Sequence, residues 1–183
     1  MNHKQIEGLA VISIADGAKV GTINQMFVDT NARRLVGFGI RPEGGRLSED
    51  TPNVIDIDDI YALGADALTL NDTNAVRGDR TRAAMSGLVD VDELTKRKVM
   101  TEGGTHVGEV ASLEFDDRSY ALSEVEVSPG FFKSNQRVPI AQVINVGDMV
   151  IVANEVCASP DATDEEDEDD GERRFVVGDV VQD

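Results

Sequence analysis

The chain carries an internal repeat. Gly17-Ala18-Lys19-Val20-Gly21 superposes on Gly104-Thr105-His106-Val107-Gly108 at a spacing of 87 residues, and the correspondence extends both ways. Upstream, Val11-Ile12-Ser13 faces Lys98-Val99-Met100. Downstream, Ile23 faces Val110, Met26 faces Leu113, Asp29 faces Asp116 and Leu35 faces Leu122. The match resumes at a spacing of 83, pairing Ile55-Asp56-Ile57 with Val138-Pro139-Ile140, Ile60 with Val143, Leu63 with Val146 and Gly64 with Gly147. The four extra residues of the first copy fall between Pro42 and Asn53, a stretch with Gly, Glu and Ser that reads as a solvent loop. Self-similarity of this kind limits the fold to two copies of one small unit.

Each unit reads as short strands. Apolar and polar side chains alternate in Val20-Gly21-Thr22-Ile23-Asn24 and again in Glu124-Val125-Glu126-Val127-Ser128, and neither copy holds a long helical period. Asp16-Gly17 and Gly103-Gly104 are hairpin signals. A second hairpin turns at Asp29-Thr30-Asn31-Ala32-Arg33 in one copy and at Asp116-Asp117-Arg118-Ser119 in the other. An open sheet of five or six such strands leaves two adhesive edges, which closure removes, so the expected fold is all-β, with two small β-barrels in tandem. Gly21 and Gly108, inside their strands, permit the bend that closure requires. The expected divisions are residues 6–70 for the first barrel, 71–87 for a linker, 88–155 for the second barrel and 156–183 for an acidic tail. Asp92-Glu93-Leu94-Thr95-Lys96 reads as a helical turn leading into the second barrel.

The Gly-x-x-Val-Gly hairpin, the Asp-containing turn, the apolar strand that follows and the closing pair of short strands together resemble the PRC-barrel family over residues 6–70 and 88–152. That family includes the cytoplasmic barrel of the photosynthetic reaction-centre H subunit, the C-terminal barrel of a ribosome-maturation factor and stand-alone prokaryotic proteins, some linked to cell division. The resemblance implies docking to other proteins and supplies no catalytic residues. Two departures matter. The chain has no transmembrane helix like that of the H subunit, and a second barrel takes the place of the ribosome factor's N-terminal domain.

Charge narrows the partners. Net charge is −18. Residues 161–183, with 11 acidic and 2 basic side chains, contribute half of it. Binding to nucleic acid or anionic membrane needs clustered cations, so protein partners are expected, with self-association into a homo-oligomer left open. The longest apolar run, Met149 to Ala153, is too short to span a bilayer, and Met1 to Glu7 has no apolar core of a secretory signal. The expected location is cytoplasmic, with any membrane recruitment supplied by a partner. An accessory subunit of a photosynthetic or electron-transport complex, and a ligand binder using a cleft between the barrels, are the alternatives.

No residue grouping reads as catalytic, and no cofactor or metal is expected. His3, at the terminus, and His106, on a hairpin, read as surface residues, and with Cys157 they make no zinc spacing. Gly37-Phe38-Gly39 lacks the third glycine of a dinucleotide loop, since Pro42 stands there, and reads as close strand packing. Glu166, Glu168, Asp170 and Gly171 echo an EF-hand loop, but its twelfth position is Val177. Asp29 and Asp116 read as turn residues that bind local backbone, and Asp56, Asp58 and Asp59 as a solvated turn. The acidic run Asp164 to Asp170 repels itself and gives way to an apolar end. The tail is expected to be disordered along its acidic run, and Phe175, Val176, Val177, Val180 and Val181 are read as a partner-binding strand that adds to a sheet edge, on its own barrel or on a partner, with a disordered terminus as the alternative.

Overall fold

The computed structural model describes residues 1–43, 47, 53–77, 87–130 and 134–157. The turn α1 (His3–Ile6) precedes a first sheet made of β1 (Ala10–Ser13), β2 (Lys19–Asp29), β3 (Arg34–Pro42), β4 (Asn53–Asp56), β5 (Ile60–Leu63), β6 (Ala67–Leu70) and β7 (Val76–Arg77). Next come β8 (Val89–Asp90) and α2 (Val91–Leu94). The second sheet contains β9 (Lys98–Thr101), β10 (His106–Phe115), β11 (Leu122–Ser128), β12 (Gln136–Pro139), β13 (Val143–Val146) and β14 (Val150–Val152).

The two sheets share a six-stranded order, to which the first adds β7 outside β4. The first runs β5-β6-β1-β2-β3-β4-β7 and the second β12-β11-β10-β9-β14-β13. In each, the opening strand pairs in parallel with the sixth, β1 with β6 and β9 with β14, and every other pairing is antiparallel. A 3-10 turn carries the chain across each sheet, Ile57–Asp59 from β4 to β5 and Ile140–Gln142 from β12 to β13. Among the described residues no ladder joins β4 to β5 or β12 to β13 along that seam.

The strict alternation expected in the long strands breaks at one place in each copy. Ile23 and Met26 are both buried although three residues apart, as are Val110 and Leu113. A bulge explains both pairs, since the register slips between Ile23 and Gln25 in β2 and between Val110 and Ser112 in β10. A further slip lies beside each strand glycine, between Val11 and Ile12 facing β2 and between His106 and Gly108 in β10. The expected bend is present, and the glycines serve close approach as well. A Cβ on Gly21 collides with the Arg41 carbonyl oxygen, and one on Gly108, whose φ is 156°, collides with the Ser128 carbonyl oxygen.

One expected correspondence is off by a residue. The structural equivalent of Val11 is Val99 rather than Lys98, because Val11 pairs with Gly21 and Val99 with Gly108. The loop between the first two strands spans residues 14–18 in one copy and 102–105 in the other, so an alignment anchored on the glycines slips upstream of them. Within the expected linker, Val76 and Arg77 return to pair with Ile55 and Val54. Residues 78–86 lie outside the described residues, as does the tail from residue 158.

The barrels exchange their leading segments. Val89 and Asp90, which open the second copy, pair with Val28 and Phe27 of the first. Asn2, which opens the first copy, bridges to Glu114 of the second, and the Phe115 amide donates to the Met1 carbonyl at 2.9 Å. These are equivalent contacts under the repeat. Between them the hairpin tips meet: the Leu35 amide donates to the Tyr120 carbonyl at 2.9 Å and the Leu122 amide to the Arg33 carbonyl at 2.8 Å, while Arg34 bridges to Ala121. Each partner is the other's repeat equivalent, so a pseudo-two-fold axis passes between Arg34 and Ala121. One continuous apolar cluster, from Ile6 and Val11 to Val152 and Val156, with Phe38 and Phe115 its largest members, fills both barrels.

Asn2→Ala removes a helix cap and bonds made 110 and 112 residues away. It is expected to cost about 1–2 kcal/mol and to speed amide exchange at Leu113 and Phe115, in the second barrel. Gly108→Ala, which drives a methyl group into fixed backbone, is expected to cost about 2 kcal/mol or more in thermal unfolding.

Candidate functional site

The polar groups brought together by folding lie along the exchange. Asn2 caps α1, accepting from the Lys4 amide at 3.0 Å, while its side-chain amide donates to Ser112 Oγ and Glu114 Oε1, both at 2.8 Å. Its repeat equivalent Asp90 caps α2, accepting from the Asp92 amide at 3.0 Å and from Gln25 Nε2 at 3.1 Å. Ser112 and Gln25 are themselves equivalent positions. The same joint thus carries reversed polarity in its two halves, an amide donor against a hydroxyl on one side and a carboxylate acceptor against an amide on the other. Burial pushes the Asp90 carboxyl up. The hydrogen bond from Ser112, followed by that from Asn135, holds Glu126 down.

His3 is the clearest departure from the sequence reading, which placed it on the surface. It is 4% exposed, and its Nδ1 accepts from the Leu113 amide at 3.1 Å. Position 3 looks ragged only while the first barrel is considered alone. The second barrel covers it. Burial, then the nearby Lys4 charge, lowers its pKa from 6.5. His106 is exposed on its strand, as expected.

The carboxylates hold local backbone. Asp29 Oδ1 accepts from the amides of Asn31 and Ala32 at 2.8 and 3.0 Å, and Asp116 Oδ1 from those of Ser119 and Arg118 at 2.7 and 3.1 Å. Asp56 caps its 3-10 turn through the Asp58 amide, and Asp59 pairs with Arg77 at 2.7 Å, which helps to seat β7. Gly39 packs in β3 against the side chain of Gln25. No group of three or more His, Cys, Asp or Glu among the described residues is placed to hold a metal ion. The tail residues Phe175, Val176, Val177, Val180 and Val181, and the EF-hand-like run, lie outside the described residues.

Two surface pockets each belong to a single barrel. One, of about 580 Å³, is bordered by His106, Glu109, Ser128 and Asn135. The other, of about 310 Å³, is bordered by Asp58, Asp59, Asp72 and Arg77. The space between the barrels is occupied by the shared core and the exchanged segments. Among the described residues four large apolar side chains are exposed: Ile14, Tyr61, Ile144 and Met149. Tyr61 on β5 and Ile144 on β13 are repeat equivalents, 66% and 48% exposed. Arg33 donates from the first barrel to the Ile140 and Ile144 carbonyls at 3.2 and 3.1 Å, tying β13 to the interface.

A family model described as the PRC-barrel domain matches the chain twice, over residues 1–77 and 87–156. The chain belongs to the PRC-barrel family. No curated protein matches it. The matched regions take in α1 at the start of the first PRC-barrel and β7 at its end, as well as α2 in the second. No helix among the described residues is long and apolar enough to cross a membrane.

The sequence reading missed the exchange residues Asn2, Asp90, Arg33 and Tyr120. A local signal existed for the first two, since Asn2-x-x-Gln5 and Asp90-x-x-Glu93 both match the capping-box pattern, and the Gln5 side chain closes that box on the Asn2 amide at 3.0 Å. Arg33 and Tyr120 share positive φ values, 53° and 56°, in equivalent tips, which no residue-type rule marks in advance.

The depressed His3 pKa gives a pH dependence. The unfolded chain takes up a proton near 6.5 that folded His3 resists, so stability is full above that pH and declines as the pH falls below it. Lys4 and Glu7 on its own segment, and Asp92 from α2, are the charges that act on it. Asp90 works in the opposite sense in the carboxylate range, gaining stability on protonation. The His3→Gln variant is expected to lose less thermal stability than the parent between pH 7.5 and 5.5, measured by scanning calorimetry.

Proposed function

We propose that this tandem PRC-barrel chain is a non-enzymatic docking protein, cytoplasmic in location, that joins protein partners within a larger assembly. The observation that carries the reading is the pair Tyr61 and Ile144, large apolar side chains held exposed at equivalent positions on the end strands of the two sheets. Single exposed apolar residues are ordinary, but the same exposure kept in both copies marks a surface the repeat preserves. Tyrosine in particular supplies contact area at low entropic cost. The pseudo-symmetry then offers two related surfaces on one body of fixed geometry.

Two further observations support docking over small-ligand chemistry. At the exchange joint Asn2 pairs with Ser112 and Asp90 with Gln25, and the described pockets lack a buried set of converging polar groups. Net charge of −18 favours partners with basic surfaces and high association rates at low salt.

The Tyr61→Asp/Ile144→Asp double variant tests the reading. Both sites are exposed, so folding stability is expected to change by less than about 0.5 kcal/mol per site. Partners cross-linked to the parent chain in its own cell extract are expected to be lost from the variant. Unchanged partner recovery, with a melting temperature that rises with added metabolite, would replace docking by ligand binding.

A further inference from the structure

Among the described residues the two barrels differ at one edge. In the first, β4 is covered on its outer side by β7, which pairs Arg77 with Val54 and Val76 with Ile55. In the second, β12 pairs with β11 alone among the described residues, so the outer edge at Arg137 and Val138, the equivalents of Val54 and Ile55, has no strand upon it. The chain nevertheless leaves the barrel beside that edge. The 3-10 turn Asn154–Cys157 is held to β12 by Gln136 Nε2 donating to the Val156 carbonyl at 2.8 Å, just as the turn Thr73–Ala75 delivers β7 to β4.

The residues next in line do not resemble β7. Counting from the paired strands β6 and β14, Val76-Arg77 corresponds to Ala158-Ser159, followed by Pro160. Val76 packs against the shared core, which neither Ala158 nor Ser159 has the side chain to do, and Pro160 has no amide to donate. The apolar strand sequence comes later, at Phe175-Val176-Val177-Gly178-Asp179-Val180-Val181.

We infer that this terminal segment folds back within the same molecule and adds to the outer edge of β12, in the place that β7 holds in the first barrel. Three features fit that occupant. Residues 158–174 span roughly 20–25 Å as a random coil, and more when charged, ample to return to an edge beside their own point of departure. The acidic run Asp161 to Glu172 has the sign of the body's own charge, which disfavours its packing there, while Arg173-Arg174 at the head of the segment is opposite in charge to Glu124 and Glu126 on β11, next to β12, where Glu124 also lies 3.9 Å from Arg137. β7 shows that pairing by two residues suffices for such an addition in this fold.

Amide exchange followed by mass spectrometry, with the mass in solution from light scattering, decides the matter. Three proteins are compared: the full chain, a chain ending at Glu172, and the full chain carrying Val177→Pro. The expected result is a monomer in which peptides covering residues 175–181 exchange at least ten-fold slower than an unstructured reference. Peptides covering Gln136–Pro139 are expected to exchange faster in both altered proteins than in the parent. Tail peptides at the unstructured rate, or β12 peptides indifferent to both changes, overturn the inference. Protection that appears only with a dimer and vanishes on dilution also overturns it, assigning the edge to a second copy.

Discussion

Everything in this structure hangs on two reciprocal backbone hydrogen bonds, Leu35 to Tyr120 and Leu122 to Arg33. They set the hairpin tips of the two PRC-barrels against each other around a pseudo-two-fold axis, and that placement brings each barrel's leading segment onto the other's long strand. A residue in the left-handed region is needed at each tip, and a non-glycine residue stands there in both copies. The conformational cost is met by contacts that the side chains make across the joint. Arg33 reaches two carbonyls of the second barrel, and half-buried Tyr120 packs on the shared core.

A small β-domain buries a modest share of its surface and is correspondingly marginal. Exchange of α1 and α2 changes that balance, since Ile6, Val91 and Leu94 are buried in turns that pack across the joint, and the apolar cluster becomes common to both units. The arrangement resembles an isologous dimer written into one chain, in which equivalent patches face each other. The two halves are nevertheless not identical. The caps show it in Asn2 against Asp90. A docking protein gains from this a body with two related but distinct surfaces at a set separation.

The hairpins were legible in the sequence because their determinants are local. Asp29 and Asp116 bind amides two and three residues away, and the Gly-Gly and Asp-Gly pairs act at their own turns. The repeat added what no single copy carries, namely two units. What stayed hidden was long-range. His3 reads as a terminal surface residue until Leu113 is known to lie beside it, and Asn2 is an isolated polar residue until Ser112 is placed opposite. The capping-box spacing at Asn2 and Asp90 was the one local trace of the exchange. The one-residue slip of the aligned strands has the same root, since a glycine-anchored match cannot sense that one loop is a residue longer. Strand pairing in the structure reads that directly, through Val11 on Gly21 and Val99 on Gly108.

The central claim is that two PRC-barrels form one folding unit through reciprocal exchange. Differential scanning calorimetry of the full chain at neutral pH tests it most directly. A single transition whose calorimetric and van't Hoff enthalpies agree is the predicted result. Two resolved transitions, or a calorimetric enthalpy about twice the van't Hoff value, would contradict it and show the barrels to be independent domains.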